Sequence, residues 1–185
     1  MASLNPPVCD FGWQAPHFKL PGVDGRDWTL DDVKGEYGLL VMFICNHCPY
    51  VQSIRQRLVE DIAVLKTLGV NAIAISSNDV VSYPQDSFEQ MKQVAETFNF
   101  NFPYVYDESQ SVAKAYGAVC TPDFFGFNAR LELQYRGRFD DQGRDLMPKP
   151  NATKDLLEAM TLVAKTGHGP SQQISSIGCS IKWKD

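Results

Sequence analysis

The feature that most constrains this chain is the passage from a continuous apolar run, Tyr37-Gly38-Leu39-Leu40-Val41-Met42-Phe43-Ile44, straight into Cys45-Asn46-His47-Cys48-Pro49. An unbroken apolar run of strand length reads as a central strand covered on both faces. Behind the cysteines, Val51, Ile54, Leu58, Ile62 and Leu65 recur at helical spacing with Arg55, Arg57, Glu60 and Lys66 between them. This predicts an amphipathic helix from Cys48 to about Leu68, ended by Gly69. A second cycle follows. Residues 70–76 are apolar enough for another buried strand, and Phe88, Met91, Val94, Ala95 and Phe98 mark a helix behind a cap at Asp86 or Ser87. The β-α-β-α succession predicts an α/β fold, a central mixed sheet flanked by helices.

The remaining segments complete that layout. Residues 1–36 carry loop formers around Phe18-Lys19-Leu20 and Trp28-Thr29-Leu30, which suggests a hairpin-like N-terminal β extension. Tyr104-Val105-Tyr106 reads as a short strand and residues 109–116 as a short helix. Residues 124–127 and 131–135 read as an antiparallel hairpin turning at Asn128-Ala129. A last helix runs from a Thr153 cap through Leu156, Leu157, Met160 and Val163 to Gly167. Residues 1–167 therefore read as one domain and 168–185 as a C-terminal tail without periodicity. The apolar and aromatic content of the tail suits docking on the domain.

Composition narrows the function classes. At 185 residues and 44% hydrophobic content the chain is of one-domain size with a real core, and a net charge of -5 provides no electrostatic footprint for nucleic acid. No run of about 18 apolar residues occurs, and the N-terminus lacks a basic cluster followed by an apolar stretch, so the expectation is a cytoplasmic protein without membrane contact. Five cysteines, two of them three positions apart, fit a secreted disulfide scaffold poorly. In a reducing compartment they point to thiol chemistry or metal binding.

A Cys-x-x-Cys at a strand-to-helix junction places a thiol beside the free N–H groups of a helix start, which favour the anion. Only the thiolate attacks disulfides. The expected roles are nucleophile for Cys45 and resolving thiol for Cys48, with His47 tuning Cys45 by charge or a hydrogen bond. Pro49 removes an N–H that has no intrahelical partner in a first turn. Closed zinc sites need four ligands at workable spacing, and the isolated Cys120, Cys179, His17 and His168 supply no matching second half.

With the pair on such a junction, Cys120-Thr121-Pro122-Asp123 resembles the cis-proline segment that the thioredoxin superfamily carries opposite its Cys-x-x-Cys. The resemblance implies that Pro122 is cis and that the Thr121 backbone pairs with an extended substrate near Cys45. From Ala15-Pro16-His17-Phe18 through Asp31-Asp32-Val33-Lys34-Gly35 to the last helix, roughly residues 10–165, the chain resembles the peroxiredoxin-like branch of that superfamily, the alkyl hydroperoxide reductase and thiol-specific antioxidant group. It departs from that group at the motif Pro-x-x-x-Thr-x-x-Cys. Counting back from Cys48, Cys45 stands in place of the Thr and Val41 in place of the Pro. Thioredoxins place a Trp before the first cysteine and a buried acid in the preceding strand, where this chain has Ile44 and, at candidate positions, Leu39 or Met42.

The resemblance implies a thiol-disulfide oxidoreductase with an antioxidant or redox role. Its partners are protein or small-molecule disulfides and thiols with an external reductant, and no organic cofactor is needed. Two alternatives stand beside it. One is a thiol peroxidase. The other is a metal-binding or sensing protein, for copper or zinc, in which a three-thiol cluster of Cys45, Cys48 and Cys120 with His47 suits a soft ion such as copper(I). Cys120 is placed to face the active-site helix as a substrate-side or third thiol. Cys179, if the tail docks, becomes an additional redox thiol toward Cys120 or an active-site cysteine. Cys9 reads as incidental, and Arg136, Arg138, Asp140, Asp141 and Arg144 read as a solvated mixed-charge loop near the site.

Overall fold

The computed structural model describes residues 3–144, 147 and 149–184. Strand β1 (Ser3–Leu4) leads into a hairpin of β2 (Lys19–Pro21) and β3 (Asp27–Thr29), the expected N-terminal extension. Helix α1 (Leu30–Val33) starts in a capping box in which Thr29 and Asp32 each bond the other's backbone N–H. Next come β4 (Gly38–Phe43), α2 (Pro49–Gln52), α3 (Arg55–Thr67), β5 (Val70–Ser76), α4 (Phe88–Thr97) and β6 (Tyr104–Tyr106). The chain continues through α5 (Ser111–Tyr116), β7 (Cys120–Thr121), β8 (Asp123–Asn128), β9 (Leu133–Tyr135), α6 (Asp155–Thr166) and β10 (Gly178–Ser180).

The main sheet has the order β6-β5-β4-β8-β9. β4, β5 and β6 run parallel, and β8 and β9 return antiparallel as the predicted hairpin, so the sheet is mixed. β4 lies at its centre, and all six of its residues are buried. Alternation along the pleat sends Leu40, Met42 and Ile44 into a core built with α2, α3, α4 and α6, and Leu39, Val41 and Phe43 into a second core under the N-terminal segment, α1 and α5. Each such side chain contributes roughly 1.5–3 kcal/mol by leaving water. The end of β4 is fixed from both faces, and the cysteines follow directly.

Three expectations need correction. The helix expected from Cys48 to Leu68 is two helices, because the Ser53 hydroxyl bonds the Tyr50 carbonyl at 3.0 Å and the Ile54 N–H tightens onto Val51 O at 3.1 Å. The Thr153 cap is not one: Lys154 is the cap residue of α6, and the Thr153 hydroxyl bonds Asp155. The charged stretch after the hairpin is partly core. Arg136 is buried against Asp123 at 2.9 Å and donates to Gly117 O, while Asp140 is buried and pairs with Arg57 at 3.0 Å. A guanidinium desolvated at that depth needs the carboxylate it has found.

The tail does dock. Its β10 is the middle strand of a small sheet, β1-β10-β7, and Ile181 behind it is buried. Among the described residues no helix is long and apolar enough to cross a membrane.

Candidate active site

Cys48 is the cap residue of α2, with Pro49 in the first turn. Cys45 and Cys48 are 2% and 0% exposed, so both sulfurs lie beneath the surface. The Thr121–Pro122 bond is cis, as the sequence pattern implies, and Thr121 meets both thiols: its Oγ1 lies 3.3 Å from Cys45 Sγ, and its carbonyl oxygen 3.1 Å from Cys48 Sγ.

The turn between the cysteines is held by a network that sequence reasoning missed. Asp86, read from sequence only as a helix cap, is fully buried and reaches back to the cysteine turn. Its Oδ1 accepts the N–H groups of Asn46 (2.8 Å) and His47 (3.2 Å), and its Oδ2 accepts His47 Nδ1–H (2.6 Å) and Asn78 Nδ2–H (2.7 Å). Asn46 is satisfied on every side: Nδ2 donates to Gln85 O, Oδ1 accepts the Tyr104 hydroxyl at 3.0 Å, and its carbonyl accepts Gln52 Nε2 and the Arg55 guanidinium. The one available signal was the pairing of a polar residue between the cysteines with an Asp just after Pro84. Neither residue discloses in sequence that they meet. The helix start at α4 is capped instead by Ser87, whose hydroxyl accepts from Gln90.

Two expectations about roles change in consequence. His47 spends Nδ1 on Asp86, with Cys45 Sγ at 4.0 Å, and its ring stacks on Tyr83 at 5.3 Å between centroids. Its Nε2 is buried without a hydrogen-bond partner. His47 therefore reaches Cys45 as a neighbour shared with a carboxylate, not as a free cation. The anion also prefers the other sulfur. The bond to Cys48, burial and the nearby Asp86 carboxylate raise Cys45 well above the usual thiol range. Cys48 is pulled down to about 4 by the Cys45 thiol, the Cys179 thiol and the N–H groups of Val51 and Cys179. The helix start thus stabilises the thiolate of its own cap residue, and the N–H groups one turn earlier belong to Asp86.

The third thiol at this site is Cys179, whose Sγ lies 3.0 Å from Cys48 Sγ. Burial and then the Cys48 thiol push it up to about 12. Cys120, expected in that place, is fully buried with its thiol turned to the Pro122 carbonyl at 3.5 Å, and burial raises it far above the ordinary range. The Thr121 edge expected to face substrate is paired with β10, Cys179 opposite Thr121 and Ser180 opposite Cys120. Cys9 is half-buried and pushed up to about 11 by burial.

Among the described residues the grouping that offers three metal ligands is Cys45, His47 and Asp86, whose candidate atoms lie within 4.8 Å of one another. Neither Cys48 nor Cys120 is among them, so the expected cluster of three thiols with His47 is not what these residues assemble. Four N–H donors already occupy the Asp86 oxygens, and a cation at this place must first break the His47–Asp86 bond.

The profile of the AhpC/TSA family matches residues 11–139. The thiol-disulfide oxidoreductase ResA of Geobacillus thermodenitrificans is 29% identical over 114 residues, covering 62% of this chain. The chain spans 61% of the length of that relative. A crystal structure of an uncharacterized conserved protein from Geobacillus kaustophilus superposes with a TM-score of 0.92 at 44% identity over 100% of this chain and 97% of that one. The thioredoxin domain of the thiol-disulfide oxidoreductase BVU-2223 from Bacteroides vulgatus matches at TM-score 0.58 and 20% identity, over 68% of this chain and 86% of that one. The fold is thioredoxin-like.

Proposed function

The chain belongs to the AhpC/TSA family, and from that premise we propose that it is a thiol-disulfide oxidoreductase whose working group is the Cys45–Cys48 dithiol. The observation that carries this reading is the contact of both thiols with Thr121, ahead of the cis Pro122, at 3.3 and 3.1 Å. A sulfur pair held against one backbone edge has what dithiol exchange requires. One thiol bonds to a substrate sulfur while the other remains within reach to displace it.

In the reducing direction Cys45 passes its proton to the bonded Cys48 thiolate and attacks a substrate disulfide, one substrate sulfur leaves as thiolate and takes that proton back from Cys48, and Cys48 then breaks the mixed disulfide, forming the Cys45–Cys48 bond as the second substrate sulfur leaves as thiolate. Asn46, Asp86 and Tyr104 hold the turn through this cycle, and an external dithiol returns the pair to the reduced state. A protein substrate that pairs with Thr121 takes the place of β10. No organic cofactor enters. In Cys48→Ser the attack that resolves the intermediate is removed, so mixed disulfides accumulate on Cys45. Mass spectrometry finding substrate adducts elsewhere, or none, under oxidising conditions counts against the reading.

One observation favours a second reading, a thiol peroxidase. The thiolate is favoured on Cys48, the position that resembles the peroxide-reacting cysteine of the family, with the Val51 N–H beside it. In that case peroxide oxidises Cys48 to a sulfenic acid, releasing the alcohol or water, and a neighbouring thiol condenses with it to a disulfide and water. Val41 and Cys45, standing where that family has Pro and Thr, weigh on the other side.

A further inference from the structure

The C-terminal strand lies where an extended substrate peptide would lie. β10 pairs antiparallel with β7 on one side and with β1 on the other. The approach to β7 leaves room only for glycine at one position: a Cβ on Gly178 would sit 2.2 Å from the Thr121 carbonyl oxygen and 2.6 Å from its carbon. Beyond the strand, the Lys182 N–H donates to Asn78 Oδ1 at 2.9 Å, and the Lys182 carbonyl accepts the Asp79 N–H and Gln110 Nε2–H, each at 2.8 Å. Asn78 is also a partner of Asp86, so the tail is tied to the scaffold that holds the cysteine turn. This register delivers Cys179 Sγ to 3.0 Å from Cys48 Sγ. A disulfide of about 2.05 Å needs a closure of roughly 1 Å.

We propose that Cys179 is a third redox thiol of this centre, a tethered substrate that exchanges with the Cys45–Cys48 disulfide to give a Cys48–Cys179 disulfide and a free Cys45. The inference rests on the dithiol reading. Cys179 gives up its proton and its sulfur attacks Cys48 Sγ. The Cys48–Cys179 bond forms as the Cys45–Cys48 bond breaks, and the electron pair leaves on Cys45 Sγ, which takes a proton. One disulfide and one thiol are present before and after, so the step needs no further oxidant. The first disulfide is supplied by exchange with a substrate disulfide. The product keeps the oxidised bond beneath β10 and returns Cys45 as a thiol at the substrate turn.

The test equilibrates the full chain in oxidised and reduced dithiothreitol, quenches it with acid, and maps disulfides by mass spectrometry after digestion without reduction. Wild type is expected to show both the Cys45–Cys48 and the Cys48–Cys179 linkage, and Cys45→Ser the second alone. Adding Gly178→Ala to Cys45→Ser is expected to lower the yield of that linkage several-fold, because the strand no longer seats against Thr121. If wild type forms only the Cys45–Cys48 bond, and a folded Cys45→Ser leaves Cys48 and Cys179 both open to alkylation, the proposal is overturned. Absence of the Cys45–Cys48 bond in Cys179→Ser would overturn the dithiol reading itself, and the exchange with it.

Discussion

Replacing Asp86 tests the site most directly, because one fully buried carboxylate accepts four hydrogen bonds that shape the turn and also stands close to the first cysteine. Asp86→Ala leaves the Asn46 and His47 N–H groups without an acceptor. At roughly 1–3 kcal/mol for each of these two buried unpaired donors, the loss of stability is about 2–6 kcal/mol. Asp86→Asn separates geometry from charge. Its amide oxygen still accepts the two backbone N–H groups, and its NH2 faces His47 Nδ1, which can accept once the imidazole proton moves to Nε2. Asn78 Nδ2–H is left facing another donor, a loss of about 1.5–3 kcal/mol for a hydrogen bond to a charged group. Electrostatics moves the other way. Cys45 Sγ lies within 4.8 Å of an Asp86 oxygen. At an effective dielectric of about 20, a thiolate there is opposed by at least ~3 kcal/mol, and Asp86→Asn removes this opposition. The shared bond with Cys48 and burial, the larger causes of the raised Cys45 thiol, remain in place. The expected result is a less stable protein whose Cys45 is alkylated by iodoacetamide at lower pH than in wild type, scored cysteine by cysteine by mass spectrometry beside urea unfolding. A Cys45 alkylation profile that stays where wild type has it, with stability reduced as expected, would refute the electrostatic role assigned to Asp86.

Other outcomes follow from the Cys48 thiolate. Its folded value of about 4 lies below the ~8.5 of an unfolded thiol, so between those values the unfolded chain holds a proton that the folded chain lacks. Stability of the reduced protein from this group is therefore full above the unfolded value and lost as pH falls toward 4, with a slope of at most ~1.4 kcal/mol per pH unit. Urea unfolding under reductant should show this slope in wild type and its absence in Cys48→Ser; equal slopes would contradict it. On the peroxidase reading, reduced protein consumes hydrogen peroxide far faster than free cysteine does, and Cys48→Ser does not. Consumption at the free-thiol rate would remove that reading.

The fold was legible in the sequence because its elements are driven by local patterns: the apolar run of β4, the helical spacing from Val51 to Leu65, and the hairpin at Asn128. The Cys-x-x-Cys and the Thr121-Pro122 segment were legible as motifs, and the structure brings them together. What escaped was set by long-range contacts with no local signature. Asp86 looks like any acidic cap ahead of a helix, yet its partners Asn46 and His47 lie 40 and 39 residues back in the chain. Arg136 sits among charges and reads as solvated until Asp123 is seen buried opposite it. Cys120 and Cys179 both appeared able to complete a trio, and strand pairing decided between them. Because side chains alternate across a strand, the register that sets Cys179 against Thr121 carries its sulfur to Cys48, and the thiol of Cys120 faces the Pro122 carbonyl.

The arrangement also fixes the direction in which the pair is biased. In thiol exchange the better leaving sulfur is the one with the lower pKa, and a dithiol whose thiolate is strongly stabilised favours its reduced form. Here the stabilised sulfur is Cys48, through the Cys45 and Cys179 thiols and the N–H groups of Val51 and Cys179, while Asp86 works against an anion on Cys45. An incoming thiolate that attacks the Cys45–Cys48 disulfide at Cys45 therefore expels the sulfur most able to carry the charge. The sequence assigns the tuning to His47, but His47 is committed to Asp86, and the stabilisation comes from the cap of α2 and from the tail. The expected potential of Cys45–Cys48, measured in Cys179→Ser so that no third thiol competes, lies toward the about -120 mV of strong oxidants and away from the about -270 mV of thioredoxin. Because Cys179 itself contributes to the thiolate, this variant should be somewhat less oxidising than the wild-type pair. A value at or below that of thioredoxin would mean that the Cys48 thiolate is not stabilised as its neighbours indicate.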